Sequence, residues 1–262
     1  APQLVFYFGT RNMLADGARH GDLRGRFPDA HLIGCSTGGQ IAGGDVLDDT
    51  LCALALQFDE TSVKVVKRRI DSVTQSRACG AAIGAELADP ELAGVFVLSD
   101  GLHVNGSALV EGIVAEVGSS VLVSGGLAGD GPDFVETIVG CDAPPEPRVV
   151  AAVGFYGDAV RIGHGSAGGW DVFGPRRRIT RAEGNVLFEL DGKPALDLYK
   201  AYLGPEESQN LPGSALLFPL RIADPKRPDT SVVRTILRVD HDTGSMTFAG
   251  DMPRGWSAQL MR

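Results

Sequence analysis

The chain has 262 residues, 44% of them hydrophobic, which is enough apolar side chain for a folded core and excludes a disordered chain. Its formal net charge of −9 sets it against phosphate backbones and so against nucleic acid as a partner. No stretch approaches the roughly 20 apolar residues of a membrane span, and no basic n-region precedes the short apolar run Pro2–Phe8, so a soluble cytoplasmic protein is expected, with two subdomains suited to its length.

Leu4–Phe8 reads as a buried strand and Ala15–Phe27 as a helix stopped by Pro28. His31–Gly34 is a short strand running into the small-residue loop Cys35–Gly44. Thr50–Phe58 and Ser62–Ile70 read as a hairpin across Asp59-Glu60-Thr61. Val73–Ala88 has helical spacing, Val95–Leu98 is a strand ending at Ser99-Asp100-Gly101, and Gly106–Val117 is a helix that Asn105 can cap. Ser120–Val123 is a further strand, opening into Ser124–Asp130. Beyond it the pattern turns strand-rich. Val135–Val139, Val149–Tyr156, Ala159–Gly163, Phe188–Leu190 and Leu216–Arg221 read as strands, Val232–Asp240 and Ser245–Ala249 as a hairpin, and only Ala195–Tyr202 as a helix. The expected class is α/β: layered β-sheets with helices, the first half alternating β and α, the second half strand-rich. A strand, a glycine loop and a long hairpin from Leu32 to Ile70 recur in order from Val121 to Ile162, which suggests two similar units with facing glycine loops.

Open α/β sheets bind ligands where strands end in small residues. Three such places stand out: Cys35-Ser36-Thr37-Gly38, Ser99-Asp100-Gly101, and the run holding Gly125, Gly126 and Asp130. Their free N–H groups and hydroxyls can hold a carboxylate or phosphate, so these ten residues are the candidate ligand site. Gly34–Gly38 also spells G-x-S-x-G, but no helix can follow through Gly39, Gly43 and Gly44, so a Ser36 hydrolase, with His103 or His164 and Asp100, is only an alternative. Gly163–Gly168 spells G-x-G-x-x-G without the helix a dinucleotide site needs. Cys35, Cys52, Cys79 and Cys141 form no CxxC pair and read as buried reduced thiols. Of five histidines, His20 and His241 look exposed, and His164 is the first choice for an axial metal or haem ligand. Two basic runs, Lys64–Arg69 and Arg176–Arg181, are expected to be solvated strand faces.

Taken in order, Leu4–Phe8, His31–Gly38, Leu98–Gly101, Ser124–Asp130, Gly163–Gly165, Ile179–Asn185 and Glu189–Ala195 resemble the FIST family (F-box and intracellular signal transduction proteins). The resemblance implies a FIST N-terminal region over 1–195 and, from 196 to 262, the beginning of the C-terminal region. That second region looks cut short at Arg262, and the helix that usually precedes the first strand is missing. Gln40 stands where the family often carries an acidic residue. The function implied is a bacterial sensory domain that binds a small ligand, amino acids among those proposed, and signals through a partner without being an enzyme. A narrower alternative is a haem-based nitric oxide sensor regulating a histidine kinase. With no C-x-x-C-H motif, any haem would be non-covalent.

Overall fold

The computed structural model describes residues 1–165 and 167–262, with the backbone alone at Pro228 and Asp229. The chain divides into two units: residues 1–104 with 108–165, and residues 105–107 with the chain beyond 165. The G-x-G-x-x-G stretch includes Ser166, which lies outside the described residues.

The first unit opens with β1 (Leu4–Gly9), α1 (Arg11–Leu14), α2 (Ala18–Arg26) and β2 (His31–Ser36). A small exposed hairpin, β3 (Gln40–Ala42) and β4 (Asp45–Leu47), leads to β5 (Leu51–Leu56) and β6 (Ser62–Arg69). Next come α3 (Ser76–Leu87), β7 (Leu92–Ser99), α4 (Gly106–Val117), β8 (Leu122–Leu127), β9 (Val139–Cys141) and β10 (Val149–Tyr156). Ser72 and Gln75 form a capping box that opens the turn leading into α3.

Two four-stranded sheets result, in the orders β5-β1-β2-β9 and β6-β10-β7-β8. Period-two alternation splits each strand between two faces. Leu4, Phe6, Ile33 and Cys35 of the first sheet meet Phe96, Leu98, Ala151, Val153 and Phe155 of the second. Val5, Tyr7 and Leu32 face the other way, onto Leu14 of α1 and Leu23 of α2. Val95, Val97, Val150 and Ala152 turn to Cys79, Ile83, Leu87, Leu109 and Ile113 of α3 and α4. The unit is therefore four layers deep, helix–sheet–sheet–helix. Each sheet holds a parallel pair flanked by an antiparallel strand, β5-β1-β2 in one and β10-β7-β8 in the other.

Several expectations are corrected. Thr50–Phe58 and Ser62–Ile70 do not pair: β5 joins β1 and β6 joins β10, because each has an apolar face that a different sheet buries. Ala159–Gly163 is not a strand; β10 turns at Gly157 and the chain runs on irregularly. The strand expected over Val135–Val139 begins only at Val139, since the preceding loop is held by Asp130 instead of by a ladder. Helix α2 starts at Ala18, and Leu216–Arg221 divides between a 3₁₀ turn and a strand. His20 is buried on the inner side of α2, and that burial lowers its pKa.

The second unit is an antiparallel sheet with a helical segment, α5, that is kinked at Gly204. Its elements are β11 (Val172–Glu183), β12 (Val186–Leu190), β13 (Lys193–Pro194), α5 (Ala195–Gln209), β14 (Leu220–Asp224), β15 (Arg227–Arg234), β16 (Ile236–Asp240), β17 (Ser245–Phe248) and β18 (Ser257–Met261). The order is β15-β14-β18-β11-β12-β17-β16, with β13 beside β12. Leu196 and Tyr199 of α5 pack on Ile179, Leu187, Leu190, Met246 and Leu260. Strands β11 and β18 were not expected, because Gly174-Pro175 and three successive arginines hide the alternation of β11. Among the described residues no helix is long and apolar enough to cross a membrane.

Candidate functional site

The three glycine loops meet at the carboxyl ends of the two parallel pairs. Gly129 N donates to Ser36 O at 2.9 Å and Ala128 N to Ser99 O at 2.8 Å. Gly101 N donates to the Thr137 hydroxyl at 2.9 Å. Convergence alone does not make these residues available. Cys35, Ser36, Ser99, Asp100 and Gly101 are buried. Ser36 Oγ accepts from Ile138 N at 3.1 Å, and among the described residues no imidazole bonds to it. Asp100 Oδ1 accepts from Leu102 N at 2.8 Å and His103 N at 2.7 Å, and lies 3.1 Å from His103 Nδ1. Its Oδ2 accepts from Arg148 N at 2.9 Å. Asp130 Oδ2 accepts from Val135 N and Glu136 N at 2.7 and 2.9 Å. Both carboxylates hold backbone N–H groups of the protein itself. Thr37 is half-buried; with the Gln40 amide oxygen turned toward it, its hydroxyl donates there at 2.7 Å. Only Gly38, Gly125 and Gly126 of the ten are exposed.

Burial pushes the Cys35 thiol up to about 12, and burial with the neighbouring Asp142 charge raises Cys141 to about 11. Cys79 is buried as well, whereas Cys52 on the edge strand β5 is half-exposed. Iodoacetamide on the native protein should therefore label Cys52 first, as mapped by peptide mass. Labelling of Cys35 ahead of Cys52 would show that the loop cluster opens readily.

A cavity of about 220 Å³ lies elsewhere in the first unit, at the mouth of the sandwich. Phe6, Leu56 and Phe58 line it from the first sheet and the end of β5, and Val95, Phe96, Ser124 and Phe155 from the second. Val160 and Ile162 flank it from the irregular segment after β10. Two edge-to-face pairs stiffen the wall: Phe6–Phe96 at 5.0 Å and Phe58–Phe155 at 6.0 Å between ring centres. The polar group at this wall is the Ser124 hydroxyl, 3.3 Å from His164 Nδ1. His164 itself is exposed. Sequence reasoning named Gly125 and Gly126 but passed over Ser124 beside them. The aromatic wall comes from inward positions of three strands and from Phe58 just past β5, and only knowledge of which strands share a sheet brings them together.

Two family models match the chain, the FIST N domain over residues 3–193 and the FIST C domain over residues 195–262. The chain belongs to the FIST family. FIST domains are associated with signal transduction and sensory ligand binding. The FIST N match runs past the boundary between the two structural units and takes in β11 and β12 of the second. No curated protein matches this FIST chain.

Proposed function

We propose that this FIST protein senses a small, mostly apolar molecule in the sandwich-mouth cavity and reports its presence to a separate output protein, without turnover. The observation that carries this reading is the aromatic cavity with a hydroxyl, Ser124, at its wall. A volume of about 220 Å³ is below the ~300–1,000 Å³ of drug-sized pockets but above the ~150 Å³ in which a buried apolar cavity takes benzene. One ring with a short polar substituent suits it, the ring against Phe96 and Phe155 and the polar group at Ser124. The segment holding Val160, Ile162 and His164 joins the cavity wall to the surface, so a ligand that favours one arrangement of it shifts what a partner meets. The buried Ser36, accepting from Ile138 N, supports binding over catalysis.

Indole is a suitable probe. It should bind the full chain saturably with Kd below about 1 mM by calorimetry. Phe96→Trp, which fills the cavity, and Ser124→Val, which keeps its shape but removes the hydroxyl, should each weaken binding about tenfold or more. Absence of saturable binding, or affinity indifferent to both changes, would overturn this reading.

The second reading is a non-covalent haem that senses nitric oxide and regulates a histidine kinase. His164, 3.3 Å from the lining residue Ser124, favours it. The fit is poor: a haem is larger than the ligands this cavity can enclose, and one ring nitrogen of His164 already faces Ser124. An absorption spectrum during haem titration, with His164→Ala as control, separates the readings. A Soret band at one haem per chain that is lost in the variant would put this reading first.

A further inference from the structure

The second unit holds a separate cleft of about 500 Å³, within the range of small-molecule sites. Arg176, Arg177 and Arg178 line it with Asp191, Trp256 and Ser257. Three successive residues of a regular strand cannot share one side, because side chains alternate. Here the ladder is broken just before Arg177, which frees Arg176 from the alternation. Phe173 pairs with Leu260 and Arg177 with Ala258, so Gly174, Pro175 and Arg176 stand opposite the single residue Gln259. Gly174 takes φ +74°, open to glycine at little cost, and Gln259 Nε2 fixes the bulge by donating to its carbonyl at 2.7 Å.

The three arginines differ in what holds them. Arg177 is tied down, donating to Asp191 Oδ2 at 3.2 Å and to the Tyr202 hydroxyl at 2.6 Å. Asp191 is also engaged by Arg178 N at 2.8 Å. The guanidiniums of Arg176 and Arg178 have no acidic partner among the described residues. Three guanidiniums against one carboxylate leave two surplus positive charges in a chain of net charge −9. Half-buried Trp256 adds a flat apolar wall.

We propose that this cleft binds a small dianion joined to a planar ring, of the nucleoside-monophosphate class. A guanidinium fork matches two phosphate oxygens, and two free forks match a phosphate monoester, which carries close to two charges at neutral pH. The indole of Trp256 offers the ring a surface on which any base stacks. The cleft is distinct from the sandwich-mouth cavity, so the proposal stands or falls apart from the reading above.

Calorimetric titration of the full chain with adenosine monophosphate, adenosine and inorganic phosphate tests it. Adenosine monophosphate should bind one per chain, and the two fragments at least about tenfold more weakly. The double variant Arg176→Gln, Arg178→Gln should lose about a hundredfold in affinity at unchanged melting temperature, since neither side chain bonds to another described residue. Phe96→Trp should leave this binding as it was. Three results would overturn the proposal: no saturation at millimolar adenosine monophosphate, equal affinity in the double variant, or inorganic phosphate binding as well as the nucleotide.

Discussion

Gly112→Ala should destabilise the protein by about 3 kcal/mol, although alanine is the better helix former by about 1 kcal/mol. Helices α3 and α4 meet backbone to backbone. An added Cβ at Gly112 would stand 2.2 Å from the Arg77 carbonyl oxygen and 2.8 Å from Ala81 N. Gly80 is as tight on the other side, 2.1 Å from the Leu109 oxygen. Neither obstacle is a side chain that can swing away, so the helices must part and draw Leu109 and Ile113 off the second sheet. The control is Gly21→Ala within α2, where a Cβ meets nothing within 4 Å and helix propensity acts alone. That change should stabilise by about 1 kcal/mol. Urea unfolding of both variants reads the two signs directly, and a stabilising Gly112→Ala would mean that the helices do not pack this closely.

Asp100→Ala should be comparably severe, at about 3–5 kcal/mol. The carboxylate is fully buried and serves three backbone N–H groups, those of Leu102, His103 and Arg148. Alanine leaves all three as buried donors without an acceptor, which costs more than the net worth of the bonds themselves. Melting should fall by about 10 °C, given ~2–4 °C per kcal/mol for a domain of this size. A ligand-binding Asp100 makes the opposite forecast, an unchanged melting temperature, so thermal unfolding decides between the two roles.

Much of the architecture was legible in the chain. Alternating strand and helix signals through Val117 gave the α/β class, and the helix Gly106–Val117 agrees at both ends. The loops at Ser36, Ser99 and Gly129 could be expected to meet because all three follow strands of parallel pairs. What failed was pairing over distance. Asp59-Glu60-Thr61 is good turn chemistry, but the partner of Val66 is Ala152, far along the chain, and no local signal names it. The bond from Arg148 N to Asp100 was hidden for the same reason, since it arrives from 48 residues away. The cleft arginines look like a solvated strand face in the sequence, because three successive charged residues carry no periodicity that would mark a shared cleft.

The way the chain shuttles between the two sheets has a consequence for how the first unit comes into being. Strand β5 enters one sheet and β6 the other; β9 then completes the first sheet and β10 inserts between β6 and β7 of the second. On the ribosome β6 emerges some 80 residues before β10, its ladder partner. Until then its backbone donors and acceptors have no strand to meet, and loop closure over that length must come before the contacts that reward it. Neither sheet can finish without residues from beyond residue 138, so no split between β1 and β10 yields two self-sufficient halves. The first unit is expected to fold as one cooperative event, because its last strand is an inner strand of the second sheet.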